Sequence, residues 1–190
     1  ELSIEVEILS DPFSPTVVTT DPPIVCEPET VDLTDTAITT GSSDNLVFSY
    51  WLDEEMTLLM ENPDSAIAGT YYIRGTSGLG CFYIEAVTVT IIPPPEAEAG
   101  PDQELDYEFE TTLNALEPMI GDTGTWSLLS GNGTFEDSND AATEVYNLSV
   151  GNNMFLWTVS NAICPPASDS VTIRVGDLRA PTLITPNGDG

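Results

Sequence analysis

Two five-residue stretches, "VTVTI" at 87–91 and "VTIRV" at 171–175, decide how the chain reads. In each, apolar residues occupy every second position: Val87, Val89 and Ile91, then Val171, Ile173 and Val175. Side chains on a strand alternate between faces, so this pattern marks strands with one face in a core and the other in water. "LSIEVEI" at 2–8 alternates in the same way and reads as a finished strand, which makes Glu1 a fragment boundary. No stretch sustains a helical period; "EEMTLLMEN" at 54–62 has room for one helical turn at most. Turn chemistry recurs between the strands, at Asp21-Pro22-Pro23, Gly41-Ser42-Ser43, Asn62-Pro63-Asp64, Gly75–Gly80, Ser130–Gly133 and Gly151-Asn152-Asn153. That rhythm predicts an all-β chain of sandwich domains.

The two stretches also close a repeat. "GTYYIRGTSGLGC" places Cys81 twelve residues after Gly69 and six before Val87, while "GNNMFLWTVSNAIC" places Cys164 thirteen after Gly151 and seven before Val171. Upstream, Cys26 lies seven residues before Leu33, and Asp106 seven before Leu113. Two copies of one unit of roughly 80–85 residues fit, at 11–94 and 95–177, with 1–10 as the last strand of a preceding copy. Proline marks the joints: Asp11-Pro12 follows the first strand and Pro93-Pro94-Pro95 follows Ile92. Such runs favour extended, semi-rigid spacers, so the sequence reads as beads that project something outward.

Charge narrows the function. Thirty-two Asp and Glu face three cations, Arg74, Arg174 and Arg179, for a net charge of −29 without any His or Lys. Such a chain repels phosphate backbones and anionic membrane surfaces over a Debye length of about 8 Å. Nucleic acid is excluded as a partner. No apolar run approaches the roughly 18 residues of a membrane span, so direct membrane insertion is not expected, and no signal peptide is recognisable. Imidazole bases, Schiff-base lysines and P-loop lysines are unavailable, leaving only paired carboxylates for acid–base work. The expectation is that this is not an enzyme, with no catalytic residue and no cofactor.

The acids invite a calcium reading, which stays open beside a plainer one. In "EAEAGPDQELDYEFE", 96–110, every acid falls on an even position, with Leu105, Tyr107 and Phe109 opposite them. Neighbouring acids on one strand face stand about 6.6–7 Å apart, too far to share a cation without help from a second strand or the linker. The alternative is a solvated face over a core face. Asp53-Glu54-Glu55 has the same status. The aromatics Tyr50-Trp51, Tyr71-Tyr72, Trp126, Phe155 and Trp157 fall on expected strands. Core packing accounts for most, and an exposed sugar-binding platform is the alternative.

The repeat register pairs Cys26 with Cys81 in a disulfide closing a loop of about 55 residues, worth ~4 kcal/mol in the chain-entropy account. Three reduced, buried thiols are the other reading. Asp106 stands where the second unit would have its matching cysteine, leaving Cys164 either an inert thiol or an intermolecular one.

The second unit, with "AGPDQ" at 99–103, "GTWSLLSGNGT" at 124–134 and "FLWTVSNAICPP" at 155–166, resembles the immunoglobulin-like or PKD-like repeats of Bacteroidota cell-surface proteins. The first, with "VCEPETVDLT", "YWLDEE", "GTYYIRGT" and "VTVTI", resembles a sister repeat from the same proteins. The terminal "PTLITPNGDG", with Thr185, Pro186, Asn187, Gly188, Asp189 and Gly190, resembles the opening of the gliding-motility-associated C-terminal domain, the type B sorting signal of the type IX secretion system. Residues 178–190 are then a linker and the start of that domain. The resemblance implies a stalk of a secreted, surface-attached adhesin of the kind used in gliding. Its partners would be the secretion machinery, outer-membrane attachment proteins and neighbouring repeats. It also implies O-glycosylation at Asp-Ser/Thr-aliphatic triplets, met here at Thr36, Ser65 and Ser170. Carbohydrate- or polymer-binding repeats, or accessory domains of a secreted enzyme, are the alternative functions.

Overall fold

A computed structural model describes residues 14–177. The alternation at 1–10 and the sorting-domain motif at Thr185–Gly190 lie outside the described residues. The described chain is all-β: twelve strands and no helix. It divides into two compact units between Pro93 and Pro94.

In the first unit, β1 (Val25–Cys26) and β5 (Ile91–Ile92) pair in parallel, with Cys26 opposite Ile92. The main sheet is antiparallel in the order β2–β3–β4, built from Val47–Trp51, Gly69–Thr76 and Phe82–Val89. Its inner face presents Tyr71, Ile73, Val87 and Val89, all buried, to Val31, Leu33, Ile38 and Ala66. The opposing layer is mostly turns, tied by an isolated bridge between Val31 and Ala66. The alternation read at 87–91 therefore points its valines inward, as its period requires.

The second unit is a fuller sandwich. One sheet runs β6–β12–β11–β8, from Gln103–Asp106, Ala167–Gly176, Gly151–Ser160 and Thr123–Ser130. The other runs β7–β10–β9, from Glu110–Thr112, Glu144–Tyr146 and Thr134–Phe135. Phe155, Trp157, Val159, Val171, Ile173 and Val175 from the first sheet pack on Leu113, Val145 and the partly buried Phe135. Trp126 and Trp157 lie together with ring centroids 5.0 Å apart. A Cβ at Gly124 would run into the Trp157 ring, so the smallest residue sits where the largest needs room. The first strand again pairs in parallel with the last, and Asp106 faces Gly176. Cys26 and Asp106 thus hold the same topological position, each ending the first strand of its unit.

Buried polar chemistry in this unit centres on Asn153, which is fully buried. Its Oδ1 accepts from the Asn132 and Ser149 backbone N–H groups and from the Ser149 hydroxyl. Its Nδ2 donates to the carbonyls of Ser149 and Ile173 at 2.8 and 3.3 Å. The amide therefore ties the β9 and β11 approaches to β12 with both ends satisfied.

The stretch 96–110 is not one alternating strand. Leu105 and Phe109 pack toward the core, but Tyr107 adopts φ 57° and is 47% exposed, so the backbone breaks between β6 and β7. Two acids there act on the backbone. Asp102 Oδ1 accepts from the Thr172 N–H at 2.8 Å, and Asp169 Oδ2 accepts from the Ala99 N–H at 2.8 Å. In the first unit Asp21 Oδ1 accepts from the Thr88 N–H at 2.7 Å. Thr88 and Thr172 are the second residues of "VTVTI" and "VTIRV". The same device recurs in both units: an aspartate upstream of the first strand satisfies a donor on the long strand near the unit's end, β4 or β12. A hydrogen bond to a charged acceptor contributes about 1.5–3 kcal/mol. Asp102→Ala is therefore expected to lower stability in urea unfolding by about 1.5–3 kcal/mol, with Asp102→Asn milder because its amide oxygen still accepts. Equal stability of the alanine variant and the parent would contradict this assignment. Asn153→Asp, which places a charge in the core, should cost more than either.

Candidate functional site

The surface that departs most from the rest of the molecule is the outer face of the β2–β3–β4 sheet. Tyr71 and Ile73 turn inward, so Tyr72 and Arg74 turn outward. Cross-strand pairing sets Trp51 opposite Tyr72 and Tyr72 opposite Ala86. It likewise sets Ser49 opposite Arg74 and Arg74 opposite Ile84. At the end of the sheet, Val47, Thr76 and Phe82 form the next row. Val47 is 72% exposed and Phe82 44%. The aromatics expected on strands thus divide. Tyr71, Trp126, Phe155 and Trp157 are buried and Tyr50 packs against the core, whereas Trp51 and Tyr72 lie side by side outside. Burial raises the Tyr50 phenol above its ordinary value, with the Asp32 charge adding to it.

Arg74 is the centre of this face. Its guanidinium carbon lies 3.9 Å from the centroid of the Phe82 ring, and Nη1 points at Met56 Sδ at 3.8 Å. Its Nε is buried without an acceptor. Among the described residues the ion pair is Arg174–Glu104, at 3.5 Å between two exposed groups, so Arg74 has no carboxylate partner. Met56 is held there by the turn after β2. Asp53 accepts from the Thr57 hydroxyl at 2.6 Å and from the backbone N–H groups of Thr57 and Leu58 at 3.0 and 2.7 Å. The Thr57 hydroxyl above all, and these N–H groups after it, hold the Asp53 carboxyl below its ordinary value. Asp53 thus organises the turn that carries Met56. Among the described residues, no group of three or more His, Cys, Asp or Glu is placed to hold a metal ion.

The cysteines correct the sequence reading. Cys81 is an exposed free thiol in the turn between β3 and β4, where its carbonyl accepts from the Ser77 N–H. Cys26 is buried and disulfide-bonded. The Cys26–Cys81 disulfide is therefore not formed, and strand geometry gives the reason. Cys26 sits beside Ile92, at one end of the extended run through β4 and β5, while Cys81 precedes Phe82 at the other. At ~3.3 Å per residue the run from Cys81 to Ile92 spans roughly 35 Å, against a Cα separation limit of about 7 Å for a disulfide. Cys164, between β11 and β12, is also disulfide-bonded, so it is no leftover inert thiol.

The three glycosylation candidates are all exposed. Thr36 lies in a turn where the Ala37 N–H donates to Asp35 Oδ1. Ser65 lies in a turn, with its hydroxyl 3.2 Å from Asp64 Oδ1. Ser170 lies within β12, opposite Leu156, on extended backbone committed to the sheet.

No protein-family profile matches the chain, and no curated protein matches it in sequence. Among solved structures it is similar to the PKD domain of the KIAA 1837 protein, at 27% identity and a TM-score of 0.39, over 46% of this chain and 91% of that one. It is also similar to the IG1 and IG2 domains of DIP-gamma, at 14% identity and a TM-score of 0.44, over 72% of this chain and 85% of that one. A third similarity is to the N-terminal eight Ig domains of Down Syndrome Cell Adhesion Molecule, at 14% identity and a TM-score of 0.47, over 72% of this chain and 21% of that one.

Two outcomes check this description. A maleimide applied without reductant should label Cys81 alone, and peptide mapping that finds label on Cys26 or Cys164 would contradict the thiol assignment. Because Asp53 is depressed in the folded chain, its contribution is present above the ordinary carboxylate range and lost as pH falls through the folded value. The Met56 methyl resonance should hold steady from pH 7 to about pH 4 and shift only below that; a shift centred between pH 5 and 7 would contradict the Asp53 clamp.

Proposed function

We propose that the chain is a non-catalytic repeat segment of a secreted, surface-attached adhesin, serving as the spacer that carries a binding region away from the cell. The observation that carries this reading is the repeated closure of both units. Each pairs its first strand in parallel with its last, and each uses an upstream aspartate, Asp21 or Asp102, to satisfy a threonine N–H, on β4 in the first unit and on β12 in the second. Closing strand edges suppresses edge-to-edge association, which a chain made of many such units needs when neighbours are crowded. The charge of −29 acts in the same direction by self-repulsion. Among the described residues no helix is long and apolar enough to cross a membrane.

Export by the type IX system, outer-membrane association, a role in gliding, and contact with the secretion machinery extend this reading. They rest on the resemblance of the terminal Thr-Pro-Asn-Gly-Asp-Gly at 185–190 to a type B sorting domain. Glycosylation at Thr36 and Ser65 is part of the same proposal, since both are exposed on turns; Ser170 is the weakest candidate because of its strand setting.

Antibodies raised against residues 14–177 test the surface reading. They should label intact cells of the source organism without permeabilisation, and brief protease treatment of those cells should remove the signal. Labelling seen only after lysis would overturn the proposal.

A further inference from the structure

The outer face of the β2–β3–β4 sheet has two features that spacing alone does not require. None of the outward-facing positions on its three strands is Asp or Glu, although the chain as a whole has thirty-two; Glu85 of β4, paired with the inward-facing Ile73, lies on the other face. It also holds a guanidinium, Arg74, that is stacked on Phe82 and half-buried, yet bonded to no carboxylate. Withdrawing a cation from water without a counter-charge is costly, and a cation–π contact returns only about 0.5–2 kcal/mol. With so many carboxylates in the chain, an ion pair for Arg74 would be the expected arrangement. The Glu54 and Glu55 side chains, in the turn that delivers Met56, do not supply one. The guanidinium still has donors to offer an incoming acceptor.

Beside Arg74, Trp51 and Tyr72 are direct cross-strand neighbours. Opposite residues place their Cβ atoms about 4.5–5.5 Å apart, so the two aromatic side chains leave neighbouring positions on one face of the sheet. The Trp51 indole N–H donates to Ser49 Oγ at 3.0 Å, which fixes that ring beside the arginine row. Two aromatic side chains on one sheet face, beside a planar fork of donors, match a ligand with one apolar ring face and an anionic edge. An extended peptide would instead seek a strand edge, and an amphipathic helix a groove; this surface is neither.

We infer that the outer sheet face of the first unit binds an acidic saccharide, with a sugar ring stacked on Trp51 and Tyr72 and its carboxylate paired with Arg74. The assignment does not depend on the spacer reading, because a unit that spaces can also bind. Loss of saccharide binding leaves the surface-labelling result untouched, and the reverse also holds.

Calorimetric titration of the full chain tests it with a glucuronate-containing probe, a hyaluronan tetrasaccharide, beside the same tetrasaccharide with its carboxylates reduced to alcohols. The acidic form should bind roughly tenfold or more tightly. Arg74→Gln should erase that difference, and Arg74→Lys should restore part of it, since charge returns without the fork. Trp51→Ala should weaken both sugars, with far-ultraviolet circular dichroism confirming that each variant remains folded. Acetate at equal carboxylate concentration should not compete. The inference is overturned if the acidic sugar gives no binding heat, if both sugars bind equally to the parent, if Arg74→Gln leaves the preference intact, or if acetate competes as well as the sugar.

Discussion

The structure depends on how the long strand near the end of each unit is closed. β4 and β12 are the strands on which the cores are built, through Val87 and Val89 and through Val171, Ile173 and Val175. An edge strand with open N–H groups is a template for pairing with another chain; β4 is the edge of its sheet, and β12 is flanked by β6 only from Ile173 onward. Here a carboxylate that belongs to the segment before the first strand reaches across to a threonine N–H next to a core valine, sixty-seven residues away in one unit and seventy in the other. The bond fixes two things together. It satisfies a donor that would otherwise remain open, and it anchors the start of the unit near its end, beside the parallel pairing of β1 with β5 and of β6 with β12. In the first unit the Thr19 hydroxyl adds a second tie, donating to the Ala86 carbonyl at 2.6 Å.

Much of this architecture was legible in the residues. Period-two runs identified β4 and β12 and their inward faces, because alternation is a direct consequence of strand geometry. The repeat register also placed Asp106 at the position of Cys26, and strand pairing puts both at the end of the first strand of their unit. The site was harder to see. Asp21 and Asp102 look like any other acids in an acidic chain, and only long-range pairing shows which backbone groups they meet. Spacing to the later-strand threonine was the sole signal, and it is visible only once the repeat register is in place. Tyr107 shows the limit of alternation. The pattern across 104–110 is uninterrupted in sequence, yet a left-handed residue turns the chain there, and no periodicity encodes that.

The cysteine error has the same origin. The repeat register sets Cys26 near the start and Cys81 in the last loop of one unit, but it does not show that a strand's length separates them. Rise per residue excludes the bridge once β1 is seen to pair with β5, because Cys81 begins the long run that ends beside Cys26. The outer sheet face was half legible. Trp51 and Tyr72 were recognisable as strand aromatics, but which of each adjacent pair faces outward needs the register with β3. The isolation of Arg74 from carboxylates is a three-dimensional fact, and in so acidic a chain it runs against what composition suggests.

Amide hydrogen exchange at Thr88 and Thr172 probes the closing bond more directly than any stability measurement. If Asp21 and Asp102 hold these N–H groups as described, both amides should exchange as slowly as those in the centres of β3 and β11, and Asp→Ala at the partner should release only the matching amide by orders of magnitude. Fast exchange at either threonine in the parent chain would contradict the account.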